Sequence, residues 1–73
     1  MPRKAEPTLK NCVKRLRKDS LGITQVDLAK QTKVTRQTII ALEAGDYTPS
    51  LALALRIARV FDLSVEEVFQ LDE

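Results

Sequence analysis

Apolar residues recur along the chain at helical spacing in five runs separated by short polar stretches, and each run predicts one amphipathic helix. In the first, Leu9, Cys12, Val13 and Leu16 fall at i, i+3, i+4 and i+7 behind Thr8, which is placed to cap the helix. Lys10, Lys14, Arg15, Arg17 and Lys18 fill the remaining surface. Asp19 to Ile23 then turns the chain, with Gly22 as its permissive residue. Thr24 caps a second helix with Asp27 three residues on, and Thr35 caps a third, since a short hydroxyl accepts from the free amides of a first helical turn. Ile23 is spaced to pack on Leu28, and Val34 on Ile39, the staple that fixes how a chain enters a helix. Residues 24 to 43 thus read as two short helices joined by a tight turn.

The later runs are as well punctuated. Gly45 is placed to close the third helix in the left-handed conformation, and Ser50, after Pro49, caps a fourth. Its core stripe is predicted as Leu51, Ala54, Leu55, Ala58 and Phe61, while Leu53 and Val60 lie on another face. Leu63 to Val68 carries a full capping box, Ser64 with Glu67, and a staple, Leu63 with Val68, predicting a short fifth helix that ends near Leu71. Val65, Phe69 and Leu71 exceed what one short helix buries at the edge of a small bundle. With Leu53 and Val60 they are the candidates for a self-association seam.

Composition supports an all-α fold, because a hydrophobic fraction of 44% with 4% aromatics and two glycines suits packed short helices better than sheet. Residues 1 to 7, with two prolines and no periodicity, read as a flexible arm. Within it Arg3 and Lys4 either reach phosphate or a minor groove or have no role. Residues 8 to 73 read as a single domain. At this size a chain buries only about 60% of its unfolded surface, so a partner would lend stability.

The net charge is only +2, but residues 1 to 36 hold ten Lys or Arg against three acids and residues 37 to 73 hold two against seven. One half therefore suits a polyanion and the acidic tail projects away from it. The single cysteine, Cys12, cannot close an internal disulfide and reads as a small core residue, and without histidine no zinc site is expected. Neither paired carboxylates in an apolar setting nor a glycine-rich phosphate loop is present, so no enzymatic role and no cofactor are expected. With no signal-peptide run and no stretch near the roughly 18 apolar residues needed to span a bilayer, the expectation is a cytoplasmic protein without a membrane partner.

Around the third helix successive residues lie about 100° apart, so Ile39 and Leu42 face inward while Arg36, Gln37, Ile40 and Ala41 share an arc roughly opposite. A guanidinium, a carboxamide and two apolar groups are chemistries that read base edges: Arg to guanine, Gln to adenine, aliphatic groups to the thymine methyl. Gln25, Leu28-Ala29, Val34-Thr35-Arg36-Gln37-Thr38-Ile39, Leu42-Glu43 and Gly45 together resemble the Cro/repressor-type (XRE) helix-turn-helix family of DNA-binding regulators. The resemblance covers roughly residues 9 to 70.

The resemblance implies a five-helix, lambda-repressor-like DNA-binding domain with the helix-turn-helix as its second and third helices. It makes Arg36, Gln37, Ile40 and Ala41 the candidate base contacts, and Gln25, Thr35, Thr38, Tyr47 and Thr48 the candidate phosphate contacts. The turn before the second helix is one residue longer than most of the family. Matching the apolar stripe across it puts Arg17 where the family often pairs an arginine with a glutamate at the end of the recognition helix, here Glu43. Ala29 is expected where the two helices cross most closely. The turn departs from the family's apolar-glycine pattern with Thr32 and Lys33. Lys33 at positive φ would cost on the order of 1 kcal/mol relative to glycine.

Two functions fit these residues. One is sequence-specific binding of double-stranded DNA as a homodimer on a roughly palindromic operator, most simply as a repressor. The other is a protein-binding module, such as an antitoxin-like partner of a toxin, for which exposed Ile40, Leu53, Val60 and Phe69 would be the surface.

Overall fold

The computed structural model describes residues 8–72, so the expected arm with Arg3 and Lys4 lies outside the described residues, as does Glu73. The order is β1 (Thr8–Asn11), α1 (Val13–Arg15) running on as a π-helical turn (Leu16–Leu21), α2 (Gln25–Thr32), α3 (Arg36–Glu43), α4 (Leu51–Phe61), α5 (Val65–Val68) and β2 (Phe69–Asp72). The class is helical, with five helices around one core. Val13, Leu28, Ile39, Leu42, Leu53, Ile57 and Val68 are at most 2% exposed, so every helix contributes.

Local chemistry sets the helix boundaries. Thr24, Thr35, Ser50 and Ser64 each accept a hydrogen bond from the amide three residues on, and Thr24 with Asp27 and Ser64 with Glu67 form reciprocal capping boxes. The residue after α2, Lys33, is left-handed at φ 63°, as are Gly45 at φ 82° and Asp62 at φ 56°. At each, the next residue donates its N–H five residues back: Val34 to Ala29 O, Asp46 to Ala41 O and Leu63 to Ala58 O. These are Schellman closures. Val34 and Leu63 also precede the caps of α3 and α5 and pack on the core. One apolar residue thus ends a helix and staples the next, fixing the angle between the two.

The π-helical turn accounts for the long connection before α2. Gly22, at φ 63°, closes it with its N–H on Arg17 O five residues back, and the Ile23 N–H reaches the same carbonyl at 3.1 Å. A π turn takes up an extra residue without breaking the helix, so Leu16 and Arg17 still face the core.

Four expectations are corrected. Thr8 does not cap the first helix, because residues 8–11 form a strand paired antiparallel with β2, Leu9 opposite Leu71 and Asn11 opposite Phe69. The helix begins at Val13, whose N–H is received by Asn11 Oδ1 at 3.0 Å. The fifth helix stops at Val68 rather than near Leu71, because the same pairing draws Phe69–Asp72 into β2. In α4 the buried stripe is Leu53, Ala54, Ile57 and Ala58, whereas Leu51 and Leu55 are 71% and 51% exposed. That rotation buries Leu53 and Ile57 and brings Arg56 alongside α2, where its Nε donates to Thr32 O at 3.0 Å. Finally, Leu53 and Phe69, 2% and 7% exposed, lie in the chain's own core and are unavailable to a seam. Val60 and Val65 are half-buried against that core, and only Leu71 of the five stands out in solvent. Cys12 is half-buried, its thiol 3.5 Å from Glu67 O.

Candidate nucleic-acid interface

The third helix is held on one side only. Ile39 and Leu42 are fully buried, so the 100° step leaves Arg36, Gln37 and Ile40 exposed, with Ala41 half-buried beside them. Thr35 accepts from Thr38 N at 3.2 Å and the two hydroxyls lie 3.1 Å apart, placing both at the start of α3. This is a short rigid rod presenting one guanidinium, one carboxamide and an aliphatic side chain to solvent.

Its far end is braced by a buried ion pair. Arg17 donates through Nε to Glu43 Oε2 at 2.7 Å and through Nη2 to Oε1 at 3.1 Å, with both side chains under 10% exposed. Its Nη1 donates to Ile23 O at 2.9 Å, and Gln25 Nε2 donates to Glu43 Oε1 at 3.1 Å. Burial pushes the Glu43 carboxyl up, but hydrogen bonds from Arg17 and Gln25 and the charges of Arg17 and Lys14 outweigh it, leaving the carboxyl below its ordinary value. The bond to Glu43 raises the Arg17 guanidinium further, against the opposing effect of burial. Three stretches are thereby locked together: the π turn, the entry of α2 and the end of α3.

This network changes the picture of Gln25. Gln25 is half-buried and its carboxamide is turned toward Glu43, which leaves one Nε2 hydrogen and the Gln25 and Val26 amides for a phosphate, the Asp27 amide being taken by Thr24 Oγ1. A shallow groove runs beside that helix start, lined by Lys18, Gly22, Thr24, Gln25, Val26 and Arg36. Two cations flank it. Lys18 is not among the phosphate contacts expected from sequence, since nothing in a surface lysine's spacing distinguishes it until the π turn brings it alongside α2. Tyr47 and Thr48 are exposed on the loop after Gly45, Tyr47 at 42%.

Asn11 was likewise missed. Its Oδ1 receives the Val13 N–H while its Nδ2 donates to Leu42 O at 3.0 Å, so one carboxamide starts α1 and satisfies a carbonyl in the last turn of α3. The described residues contain no group of three or more His, Cys, Asp or Glu side chains that could hold a metal ion, and no helix long and apolar enough to cross a membrane.

Comparison with known proteins agrees with this geometry. A helix-turn-helix family model matches residues 13–68. The chain is 49% identical over 65 residues to the uncharacterized HTH-type transcriptional regulator YgzD of Bacillus subtilis, covering 89% of this chain and 97% of that one. Among solved structures it resembles the restriction-modification controller protein C.AhdI from Aeromonas hydrophila, with a TM-score of 0.68 and 27% identity over 75% of this chain and 78% of that one. The fold is also that of the P22 c2 repressor, determined in complex with a synthetic operator, with a TM-score of 0.67 and 22% identity over 78% and 89% of the two chains.

Proposed function

The chain belongs to the XRE-type helix-turn-helix family of DNA-binding transcriptional regulators, which are not enzymes, and from that premise we propose that it acts as a homodimeric repressor on a roughly palindromic operator. The observation that carries the reading is the exposed arc of α3. Arg36, Gln37 and Ile40 face solvent, with Ala41 half-buried beside them, on a helix whose opposite side is fully buried, so a major groove can receive them without rearrangement. Arg36 takes guanine, Gln37 takes adenine, and Ile40 with Ala41 covers a thymine methyl. The α2 N-terminus with Gln25, the hydroxyls of Thr35 and Thr38, and Tyr47 and Thr48 on the following loop hold phosphates on either side and set the register. Such a protein works in the cytoplasm, with the DNA.

Two copies place their α3 helices in successive major-groove turns, about 34 to 36 Å apart. Selection of bound duplexes from a random pool tests this directly. A recovered palindrome whose half-site contains guanine, adenine and thymine supports it. Recovery of no duplex, together with tight binding of a protein lost on Ile40→Asp, would replace it with a protein-docking role for the same face.

A further inference from the structure

The β1-β2 ribbon ends the fold with an unpaired edge. Cys12 donates its N–H to Val68 O at 3.1 Å, one step beyond the Asn11–Phe69 pair. Ladder bonds in an antiparallel pair alternate, so Lys10 with Gln70 and Thr8 with Asp72 exchange them. The main-chain groups of Leu9, Asn11, Phe69 and Leu71 then point to the two outer edges. On the β2 edge the Phe69 N–H is taken by Val65 O. The Leu71 N–H and C=O have no partner among the described residues. The Leu71 side chain, on the same ribbon face as buried Phe69, is 56% exposed. One residue thus offers a donor, an acceptor and an apolar surface together.

We propose that β2 pairs antiparallel with β2 of a second copy about a two-fold axis at Leu71, giving a four-stranded sheet with the two β1 strands outermost. The proposal rests on the homodimer reading above and names its seam. In that register the two Leu71 residues exchange both main-chain bonds and cover one another's side chains. Gln70, whose Nε2 donates one hydrogen to Glu66 O, lies opposite Asp72 of the second copy on the solvent face with its other amide hydrogen toward the carboxylate, and among the described residues no like charges meet. The β1 edge is the poorer choice. Leu9 is already half-buried, and Lys10 faces out beside a helix carrying Lys14 and Lys18, so two such edges would bring cations together. A lysine is one of the residues that guard an open strand edge, and β2 has none. A lone two-stranded ribbon is marginal in water, which doubling corrects. Asn11 joins this ribbon to Leu42 O at the end of α3, so an axis through β2 fixes the two reading helices relative to one another.

Sedimentation equilibrium of the full chain and of Leu71→Lys and Leu55→Lys separates the readings. The expected result is a wild-type dimer, a dimer dissociation constant raised at least tenfold by Leu71→Lys, and little change from Leu55→Lys. A wild-type dimer insensitive to Leu71→Lys but broken by Leu55→Lys overturns the β2 seam and leaves the homodimer standing. A wild-type chain that is monomeric both free and on selected DNA overturns the homodimer and the seam with it. Should Leu71→Lys unfold, Leu71→Cys in a Cys12→Ser background reports instead, because directly hydrogen-bonded partners sit at a Cα separation a disulfide spans. Mild oxidation then yields a covalent dimer, whereas a dimer in solution that gives only uncrosslinked chains refutes the register.

Discussion

Arg17 and Glu43, twenty-six residues apart in sequence, meet through two hydrogen bonds of 2.7 and 3.1 Å in a site both side chains enter almost completely. The pair is an orienting device more than a source of stability, since desolvating two charges offsets much of their attraction. Breaking it is a different matter, because the survivor is a buried charge without a partner. Arg17→Met and Glu43→Leu should each destabilise by about 3–5 kcal/mol, and the double variant should return to within about 1 kcal/mol of wild type. Denaturant unfolding of the four proteins checks this. Additive losses in the double variant would mean the site is held by something other than the pair.

Acid should weaken the fold through three carboxyls. Glu43 titrates below the ordinary glutamate value of 4.5 because its bonds to Arg17 and Gln25 outweigh burial. Asp27 and Glu67 are lowered by the amides and hydroxyls of Thr24 and Ser64 that they cap. A group whose pKa is lowered on folding stabilises the folded state above its unfolded pKa and loses that contribution as pH falls through its folded value. The melting temperature should therefore be level from neutral pH down to about 5 and decline below it. In the Arg17→Met, Glu43→Leu double variant the decline should be shallower. An unchanged acid limb would remove Glu43 from this role.

Among the described residues four helical segments end in a left-handed residue, and only two of those residues, Gly22 and Gly45, are glycine. Lys33 pays the steric cost of its Cβ at φ 63°, so Lys33→Gly should stabilise by up to about 1 kcal/mol. Gly45→Ala should destabilise by about the same amount. A Cβ there meets no heavy atom within 4 Å, so the loss is conformational rather than a clash. Thermal melts of both variants decide it, and a lower melting temperature for Lys33→Gly would contradict the observed turn.

The helix-turn-helix was legible because its signals are local. Each cap, staple and turn between Ile23 and Gly45 acts within six residues, and the outward arc of α3 follows from the two residues it buries. The ribbon was not legible. Over Thr8 to Asn11 a four-residue stretch fits period 2 as well as period 3.6, and what decides is a partner strand some sixty residues away. In α4 nearly every position is apolar, so two stripes satisfy the helical period. The choice falls to tertiary packing, which takes Leu53 and Ile57 into the core shared with the other helices. Lys18 entered the groove only through the π turn, which periodicity does not encode.

The rotation of α4 is open to a direct measurement. Leu53→Ala removes a side chain 2% exposed and should cost about 2–5 kcal/mol through lost transfer and an unfilled cavity. Leu55→Ala, at a position 51% exposed, should fall within about 0.5 kcal/mol of wild type. The reverse order would restore the stripe first expected from the sequence.

Base reading and phosphate holding should separate in binding measurements. Arg36→Ala removes a two-pronged donor and Gln37→Ala a paired donor and acceptor from exposed positions on α3, so each should lose about 1–3 kcal/mol on the preferred site and very little on duplexes altered at the base it reads. Lys18→Ala, in the groove at the start of α2, should weaken all duplexes alike and lower the slope of log K against log salt by about 1. Ile40→Ala gives the third signature, a loss confined to sites with thymine beneath it and abolished when uracil, which lacks the methyl, replaces that base. Competition titrations at two salt concentrations measure all of these. Equal weakening across every sequence by Arg36→Ala or Gln37→Ala would move that residue from base reading to backbone positioning.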